Sequence, residues 1–449
     1  MILHRAMNRR IWLRGAVGAL AMRVAHGARE KLTNWAGNLT YGTDHLFEAG
    51  SVSSAQEIVR SHDKIKVLGT RHCFNSIGDS HDNFLSLRPM RDVVAIDATA
   101  RTVTVDAGIT YGQLCPWLDG KGFALHNLAS LPHISVAGAI STATHGSGEL
   151  NGNLATAVAG LEMLTAGGDV VKLSRATDGD VFRGTVVGLG ALGVITRITL
   201  DVQPTYSVSQ YVYENMPLAG MRDHFDEIQA SGYSVSLFTD WRNQLINEVW
   251  IKSRTDRPAA FAAPPEFFGA KLATRNLHPI AALSAENCTE QMGVPGPWYE
   301  RLPHFRMGFT PSAGKELQSE YFVPRGKAVD AILAVERLHD QISPHLLITE
   351  IRTIAADDLW MSTCYKRPSV TIHFTWKPDW PAVRRVLPVI ERELGPFEAR
   401  PHWAKLFTMA PAELRSRYER LPDFIQLAAK RDPRGKFRNR FLDTYIFAS

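Results

Sequence analysis

No apolar run in this 449-residue sequence approaches the roughly 20 residues that a membrane-spanning helix needs. Cysteine is also scarce, and Cys73, Cys115, Cys288 and Cys364 are widely spaced with no CxxC pair. This usage does not require structural disulfides, and it lacks the ligand spacing of a metal site. We therefore expect no membrane span and no metal, and a reducing compartment is the simplest interpretation.

Positive charge is concentrated at the N-terminus. The formal net charge is +5 and the pI is about 9.0, a balance that nucleic-acid-binding proteins share. Residues 1–33 carry seven Arg or Lys and one Glu, a net of +6, which leaves −1 for the remaining residues. The body of the protein thus has no excess of cations for a phosphate backbone, and we predict no nucleic-acid partner.

Residues 1–33 are predicted to be a basic tail. Arg9 and Arg10, with the apolar residues after them, resemble a twin-arginine export signal, although Arg14 and Arg23 bracket only eight uncharged residues. A basic amphipathic tail or an upstream start codon explains the segment at least as well. We expect a cytoplasmic, monomeric protein, and export stays open.

Glycine turns separate short β-branched runs before Gln203 and Pro204, where the composition changes. A capping-box pattern predicts that Ser54 opens a short helix, and residues 65–68 predict a strand. Two hairpins are predicted, one from residues 93–96 and 102–105 and one from residues 161–165 and 170–173. The first half of the chain is therefore predicted to be a mixed α/β unit.

Aromatic and β-rich segments follow Pro204. Helical periodicity returns at residues 328–338 and 382–394. Between them and the change in composition, a Pro- and Ala-rich stretch at about 255–303 shows no periodicity, which predicts surface loops over a functional cleft.

Gly188, Gly190 and Gly193 match the GxGxxG dinucleotide fingerprint. The fingerprint requires a helix directly after the glycines, because the helix N-terminus holds the pyrophosphate. Residues 194–200 are instead β-branched, which predicts a strand. We reject a nicotinamide site and infer that these glycines turn the chain or let its backbone approach something flat.

The predicted strand at 65–68 runs into Gly69 and Thr70 and then presents Arg71, His72 and Cys73. Backbone N–H groups in such a turn can hold pyrophosphate oxygens, and an imidazole there can reach a cofactor ring. A strand-ending turn with a solvated histidine explains these residues equally well.

Residues 128–148 contain almost no charge and many small residues. They supply closely spaced backbone N–H groups and hydroxyls, which favours a segment that wraps a diphosphate and a ring system. The alternative is a packing segment in which glycine permits close backbone contact.

Alternating polar residues mark two later strands. Glu350 and Arg352 share one face of the first, and Thr371, His373 and Thr375 share one face of the second, by the two-residue period. This mixture of donors and acceptors suits a site for a polar ligand, but a solvated strand face also explains the pattern.

Eight ordered motifs resemble the alditol (xylitol) oxidases, which are flavoproteins of the vanillyl-alcohol oxidase type related to the aldonolactone oxidases. The motifs are GTRHCFNS, SLPHISVAG, THGSG, GLGALGVIT, EIRT, HFTW, PHWAK and DPRGKF, and the resemblance runs from about Asn34 to the C-terminus. It implies an α+β fold with a two-lobed FAD-binding domain and an antiparallel-sheet substrate domain. The implied division is a tail at 1–33, the FAD domain at 34–203, the substrate domain at 204–403 and a returning segment at 404–449.

The resemblance also implies the site residues. FAD would be bonded covalently to His72 and held by Val67, Leu68, Gly69, Thr70, Arg71, Cys73, Ser130, Ser135, Gly138, Thr142, Ala143, Thr144, His145 and Ile195. The polyol would be bound by Ser130, Glu350, Arg352, Thr375 and Lys405, with Arg352, His373 and Lys405 catalytic. Arg71 and Cys73 depart from the Gly-His-Ser common in the wider family, which puts the geometry of the loop in question.

The implied activity is oxidation of a terminal hydroxyl of a sugar alcohol, with hydride passing to the flavin and oxygen reduced to hydrogen peroxide. Which of Arg352, His373 and Lys405 is the base is left open. An aldonolactone oxidase or dehydrogenase with the same cofactor is the main alternative. A flavoprotein without turnover or a carbohydrate-binding module is disfavoured, because such a protein has no need of the complete charged set.

Overall fold

The first half of the chain combines parallel and antiparallel strands with short helices. The structure, a computed structural model, describes residues 31–258, 260–306 and 316–448. The strands of this half are β1 (Leu46–Glu48), β2 (Lys66–Val67), β3 (Phe84–Ser86), β4 (Val93–Asp97), β5 (Thr102–Asp106), β6 (Phe123–Ala124), β7 (Val158–Leu164), β8 (Val170–Ser174), β9 (Val194–Asp201) and β10 (Gln203–Pro204). Its helices are α1 (Val52–Ser61), α2 (Tyr111–Asp119), α3 (Val136–Ser141) and α4 (Arg175–Val186).

These strands form separate sheets. Strands β1, β3 and β2 pair in parallel in that order, and β6 pairs with β10. An antiparallel sheet has the order β4-β5-β9-β7-β8. Both predicted hairpins are confirmed, as β4–β5 and β7–β8, and the strand predicted directly after Gly193 is β9.

The predicted start of helix α1 is wrong by three residues. Its N-cap is Ser51, whose side chain accepts a hydrogen bond from Ser54 N, while Ser51 N donates in return to the Ser54 hydroxyl oxygen. Ser51 and Ser54 thus form the capping box with each other. Sequence favoured Ser54 because Glu57 follows it at the same spacing.

The second half is built on antiparallel strands. They are β11 (Ser207–Pro217), β12 (Ser234–Thr239), β13 (Leu245–Arg254), β14 (Glu266–Phe267), β15 (Ala270–Leu272), β16 (Gly296–Pro297), β17 (Leu317–Pro324), β18 (Leu346–Ile354), β19 (Ser369–Trp376) and β20 (Arg400–Pro401). The helices are α5 (Leu218–Ala230), α6 (Ala328–Glu336), α7 (His339–Ile342), α8 (Trp380–Leu394), α9 (Pro411–Ser416), α10 (Leu421–Arg431) and α11 (Arg440–Leu442).

These strands join into one large sheet with the order β14-β15-β11-β13-β12-β18-β19-β17-β20, and β16 pairs with β11. Strands β17, β18 and β19 are buried along nearly their whole length. The polar residues of β18 and β19 therefore do not form a solvated strand face. They are enclosed, and burial of polar groups requires partners.

Helix α8 has an N-terminal cap and one apolar face, both of which its sequence explains. Asp379 caps the helix by accepting a hydrogen bond from Ala382 N, and Val383, Leu387, Ile390 and Leu394 recur at helical spacing on its buried face. This apolar face packs against α6, so the helices predicted at 328–338 and 382–394 are both present.

The α+β fold class is confirmed, with a mixed sheet system followed by a large antiparallel sheet. From Leu32 onward the chain clusters as one compact unit, so the division into 34–203, 204–403 and 404–449 stays a prediction. Residues 1–30 of the predicted basic tail, including the part that resembles an export signal, lie outside the described residues. Within the described ranges, no helix has the length and apolar character needed to cross a membrane, and no cluster of His, Cys, Asp or Glu is arranged to hold a metal ion.

Candidate active site

A cavity of about 710 Å³ is lined by residues of both halves of the chain. Its size lies in the range of small-molecule and cofactor sites. The residues predicted from the sequence that line it are Val67, Leu68, Gly69, Thr70, Arg71, His72, Cys73, Ser130, Ser135, Gly138, Thr142, Thr144, His145, Ile195, Glu350, Arg352, His373, Thr375 and Lys405. Ala143 is the exception: it is fully buried and does not reach the cavity wall.

The loop after β2 accommodates Arg71 at a strained position. Arg71 has a φ of 63°, the left-handed region that favours glycine, which explains why a glycine suits this place. Its guanidinium donates a hydrogen bond of 3.1 Å to Thr33 O, and Trp35 N donates to Arg71 O at 2.8 Å. Arg71 therefore keeps the turn that glycine would make and ties it to the preceding segment.

The thiol of Cys73 replaces the hydroxyl common in the wider family, and this thiol is uncharged. Burial raises the pKa of the Cys73 thiol to about 12, although Lys66 opposes the shift, so the thiol stays protonated. The backbone of the loop is held independently of this side chain, since Asn34 donates from its amide to Cys73 O at 2.7 Å.

His72 lies in a nest of aromatic rings. The Trp35 ring is centred 4.5 Å from it, and His133 Nε2 lies 3.3 Å from His72 Nδ1. Burial, with the charges of His133 and Lys405 adding to it, lowers the pKa of His72 to about 3. The imidazole is therefore neutral near pH 7 and keeps a nitrogen lone pair.

The second predicted segment closes on this loop through small residues. Ser135 N donates to Thr70 Oγ1 at 3.3 Å, and Ser135 caps α3 by accepting from Gly138 N. A Cβ on Gly69 or on Gly138 would come within 2.9 Å of Ser135 Oγ. Glycine at position 69 thus permits the two segments to approach this closely, and glycine at position 138 leaves room for the Ser135 hydroxyl that caps α3.

Gly188, Gly190 and Gly193 also line the cavity. This position explains why the chain has glycines at this spacing although the nicotinamide fingerprint is rejected. Gly190 and Gly193 have φ values of 66° and 140°, so they turn the chain before β9. Gly190 O accepts a hydrogen bond of 3.0 Å from Lys66, whose pKa burial lowers to about 7. The glycines therefore present backbone to the cavity, as inferred.

The wall of the cavity that β17, β19 and β18 form carries polar side chains in regular rows. Across β17, β19 and β18, Glu320 is opposite His373 and His373 is opposite Glu350. Thr375 lies two residues from His373, and Arg352 two residues from Glu350, so both share this face. The predicted faces are confirmed in register, although Thr371 does not line the cavity.

Glu320, which was not predicted from the sequence, contacts three cationic or titratable side chains at this wall. Its carboxylate accepts a hydrogen bond of 2.8 Å from Arg352 Nη2 and one of 2.7 Å from Lys405 Nζ, and it lies 3.2 Å from His145 Nε2. Burial acts to raise the pKa of Glu320, but Lys405, His145 and Arg352 outweigh it and hold the pKa well below its usual range.

Lys405 fixes the tautomer of His373. Lys405 Nζ lies 2.8 Å from His373 Nδ1, and His373 Nε2 lies 3.1 Å from Thr375 Oγ1. Lys405 Nζ has N–H donors for both Glu320 and His373, as an ammonium or as a neutral amine, so Nδ1 accepts from Lys405 and Nε2–H donates to Thr375. Burial, with Lys405 adding to it, holds the pKa of His373 well below its usual range, so the ring is neutral.

A second unpredicted residue, His304, stands behind Glu350. His304 Nε2 donates to Glu350 Oε1 at 2.7 Å, and Lys252 Nζ lies 3.3 Å from His304 Nδ1. Burial, with Lys252 adding to it, lowers the pKa of His304 to about 4, so a neutral ring links the two. Burial alone would raise the pKa of Glu350, but Arg352 and His304 hold it below its usual range.

The donor set fits FAD. The glycine-lined loops offer backbone and hydroxyl groups of the kind that hold a diphosphate, and the cavity extends from Ile195 past His72 to the charged wall. Arg352 Nε is buried and makes no hydrogen bond to the described residues; its ion-pair partner Glu350 Oε1 lies 3.5 Å away, which leaves a ligand room to accept from this donor.

Comparisons with known proteins agree with this assignment. Residues 43–174 match the model of the FAD binding domain, and residues 311–445 match that of D-arabinono-1,4-lactone oxidase. An alditol oxidase from Streptomyces sp. is 46% identical over 92% of this chain and 98% of its own length. An L-gulonolactone oxidase from Bos taurus is 26% identical over 94% of this chain and the whole of that protein.

A solved structure shares the fold. Cholesterol oxidase from B. sterolicum superposes with a TM-score of 0.74 at 14% identity, covering 93% of this chain and 96% of that one. At such low identity the likeness concerns the fold alone, and the family rests on the Streptomyces relative. The resemblance read from the sequence is thereby confirmed. The chain belongs to the alditol oxidase family of FAD-dependent oxidoreductases.

Proposed function

We propose that the protein oxidises the terminal hydroxyl of sugar alcohols such as xylitol and sorbitol to the aldose, with oxygen reduced to hydrogen peroxide. The observation that carries the proposal is the enclosed grid of Glu350, Arg352, His373, Thr375 and Lys405 on the cavity wall. A polyol presents a hydroxyl on every carbon, and this wall alternates donors with acceptors along adjacent strands.

We propose that FAD is attached through His72. In support, His72 is neutral, lines the cavity and follows the glycine turn of the cofactor loop. Thr70, Ser135, Thr142 and Thr144 supply hydroxyls for the cofactor, and Gly69 and Gly138 permit close approach. Bound FAD supplies the hydride acceptor, and the organic chemistry is its own.

The chain's residues then have distinct tasks. Arg352 and Ser130 would orient the reacting hydroxyl, since both line the cavity and Arg352 Nε makes no hydrogen bond to the described residues. Both nitrogens of His373 are already hydrogen-bonded, and a guanidinium keeps its proton, so neither is suited to act as base.

Lys405 is suited to take up the hydroxyl proton. Burial lowers the pKa of Lys405, although Glu320 opposes the shift, so a neutral amine is accessible. Glu350 and Thr375 would bind the more distant hydroxyls. The side chains of this wall are buried, and electrostatic contacts are stronger in such an environment than in water.

The lactone alternative is not favoured. The L-gulonolactone oxidase from Bos taurus is the more distant relative, at 26% identity against 46% for the alditol oxidase over similar shares of the chain. A lactone also carries fewer free hydroxyls than the wall has polar groups to satisfy. The match of residues 311–445 to the lactone oxidase model reflects the shared fold of the substrate-binding half.

The test is steady-state oxygen consumption and peroxide formation by the purified flavoprotein. Xylitol and sorbitol should give a higher kcat/KM than L-gulono- or D-arabinono-1,4-lactone. Lys405→Met should abolish turnover while the flavin spectrum remains. The matched control is Lys436→Met, which removes another buried lysine that donates to Val59 O outside the cavity and should leave kcat/KM unchanged. Preference for the lactones, or normal turnover by Lys405→Met, would contradict the proposal.

A further inference from the structure

The carboxylate of Glu320 connects the cofactor segment to the substrate wall. It stands on β17 with its side chain completely buried, and it approaches groups from three separate parts of the chain. Arg352 is on β18, Lys405 follows β20, and His145 belongs to the glycine and hydroxyl segment. Such convergence on one buried carboxylate costs much desolvation and holds the partners only if every bond is made.

We propose that Glu320 is a positioning residue that fixes Lys405 and Arg352 for the polyol and couples them to His145. The inference rests on the proposed function for its substrate, but the arrangement itself is independent of it. Each oxygen of Glu320 has its own partners: Oε2 accepts from Lys405, while Oε1 accepts from Arg352 and faces His145. Losing the carboxylate would therefore release both cations at once.

Charge balance explains why a carboxylate is needed here. Lys405 faces several titratable or charged groups besides Glu320. They are Arg352 and Glu350 on β18, His373 on β19, Glu316 just before β17, His402 just after β20 and His72 in the cofactor loop. Glu320 in turn faces His145, His373 and His402 in addition to its two cations. Without its charge, the buried carboxylate of Glu350 would have to balance both Lys405 and Arg352, whose charges it already faces.

The consequence for Lys405 has a definite sign. Burial favours the neutral amine, and the Glu320 charge is the largest influence that opposes it. Removing that charge should lower the pKa of Lys405 further. Whether Lys405 acts as acid or as base, the limb of the pH–rate profile that reports it should move to lower pH.

The experiment measures Lys405 directly in the flavin-loaded protein. Trace acetylation with acetic anhydride follows the neutral amine, and mass spectrometry of the Lys405 peptide gives the pH of half-maximal labelling. In Glu320→Gln this pH should fall by about one unit or more, a tenfold change in the protonation equilibrium. The control Glu391→Gln alters a buried carboxylate outside the cavity that bonds Tyr321 and Thr408, and it should label like the wild type.

A second variant separates position from charge. Glu320→Asp keeps the charge on a shorter side chain, so its labelling midpoint should stay near that of the wild type while kcat/KM for xylitol falls at least about tenfold. An unchanged midpoint in Glu320→Gln, or full activity in Glu320→Asp, would overturn the inference. If Glu320→Gln does not fold, the Asp variant alone decides. Absence of polyol turnover in the wild type would instead refute the proposed function and leave the labelling result intact.

Discussion

The side-chain amide of Asn75 donates a hydrogen bond of 2.7 Å to the carbonyl oxygen of Lys405. The same amide donates to Trp403 O at 2.9 Å, and Phe74 N donates to Ala404 O at 2.7 Å. The cofactor loop therefore holds the backbone of the segment that carries the proposed base. A residue 330 positions earlier in the chain thus helps to place Lys405.

Asn75→Ala should weaken both stability and turnover. It leaves two carbonyls without this donor, which should cost about 1–3 kcal/mol in the free energy of unfolding. Displacement of Lys405 should lower kcat by more than the loss of folded protein explains. Denaturant unfolding and kcat per flavin check this. Asn83→Ala, which removes a similar bond from an exposed amide to Lys64 O, should leave kcat unchanged.

Arg71 offers a test of backbone strain. Arg71→Gly loses the bond to Thr33 O but relieves the left-handed φ, whereas Arg71→Ala loses the bond and keeps the strain. The glycine variant should therefore be more stable than the alanine variant by about 1 kcal/mol in thermal unfolding. Equal stability of the two would show that this turn is not strained.

His304→Phe should weaken binding of the hydroxyls that lie farthest from the reacting carbon of the substrate. Glu350 would lose its 2.7 Å bond from the ring, a hydrogen bond to a charged group. We expect KM for sorbitol to rise about tenfold with a much smaller change in kcat, since hydride transfer occurs elsewhere on the wall. His224→Phe, which breaks an exposed His–Glu pair, should change neither constant. A fall in kcat alone would contradict this role.

Acid precipitation should reveal the attachment of the flavin. The wild-type pellet should remain yellow, because a covalent bond through His72 survives denaturation. The pellet of His72→Ala should be colourless with a yellow supernatant, and His62→Ala, whose ring bonds Ile58 O away from the cavity, should behave like the wild type. A colourless wild-type pellet would exclude the covalent bond.

Sequence periodicity was sufficient for the strands that carry the polyol wall. The two-residue spacing of Glu350 with Arg352 and of His373 with Thr375 placed each pair on one face, and the register confirms it. Hairpins with glycine or polar turns were equally predictable, because their signals are local.

The unpredicted residues lack any local signal. Glu320 lies in β17, where each neighbour is also buried, so no alternation marks it. His304 lies just after a stretch without periodicity, yet its ring is buried against Trp250 and Glu350. Their importance comes from partners tens to hundreds of residues away, and such pairing is a property of the fold alone.

The register of the large sheet fixes the intervals at which the substrate is recognised. His373 and Glu350 stand on the neighbouring strands β19 and β18, and backbone hydrogen bonding sets such strands about 4.8 Å apart. The spacing between the polar groups of the wall is therefore set by the main chain. A substitution on one strand removes or shifts a single polar group and leaves the spacing of the strands unchanged, so a larger change in preferred polyol length must come from elsewhere in the cavity.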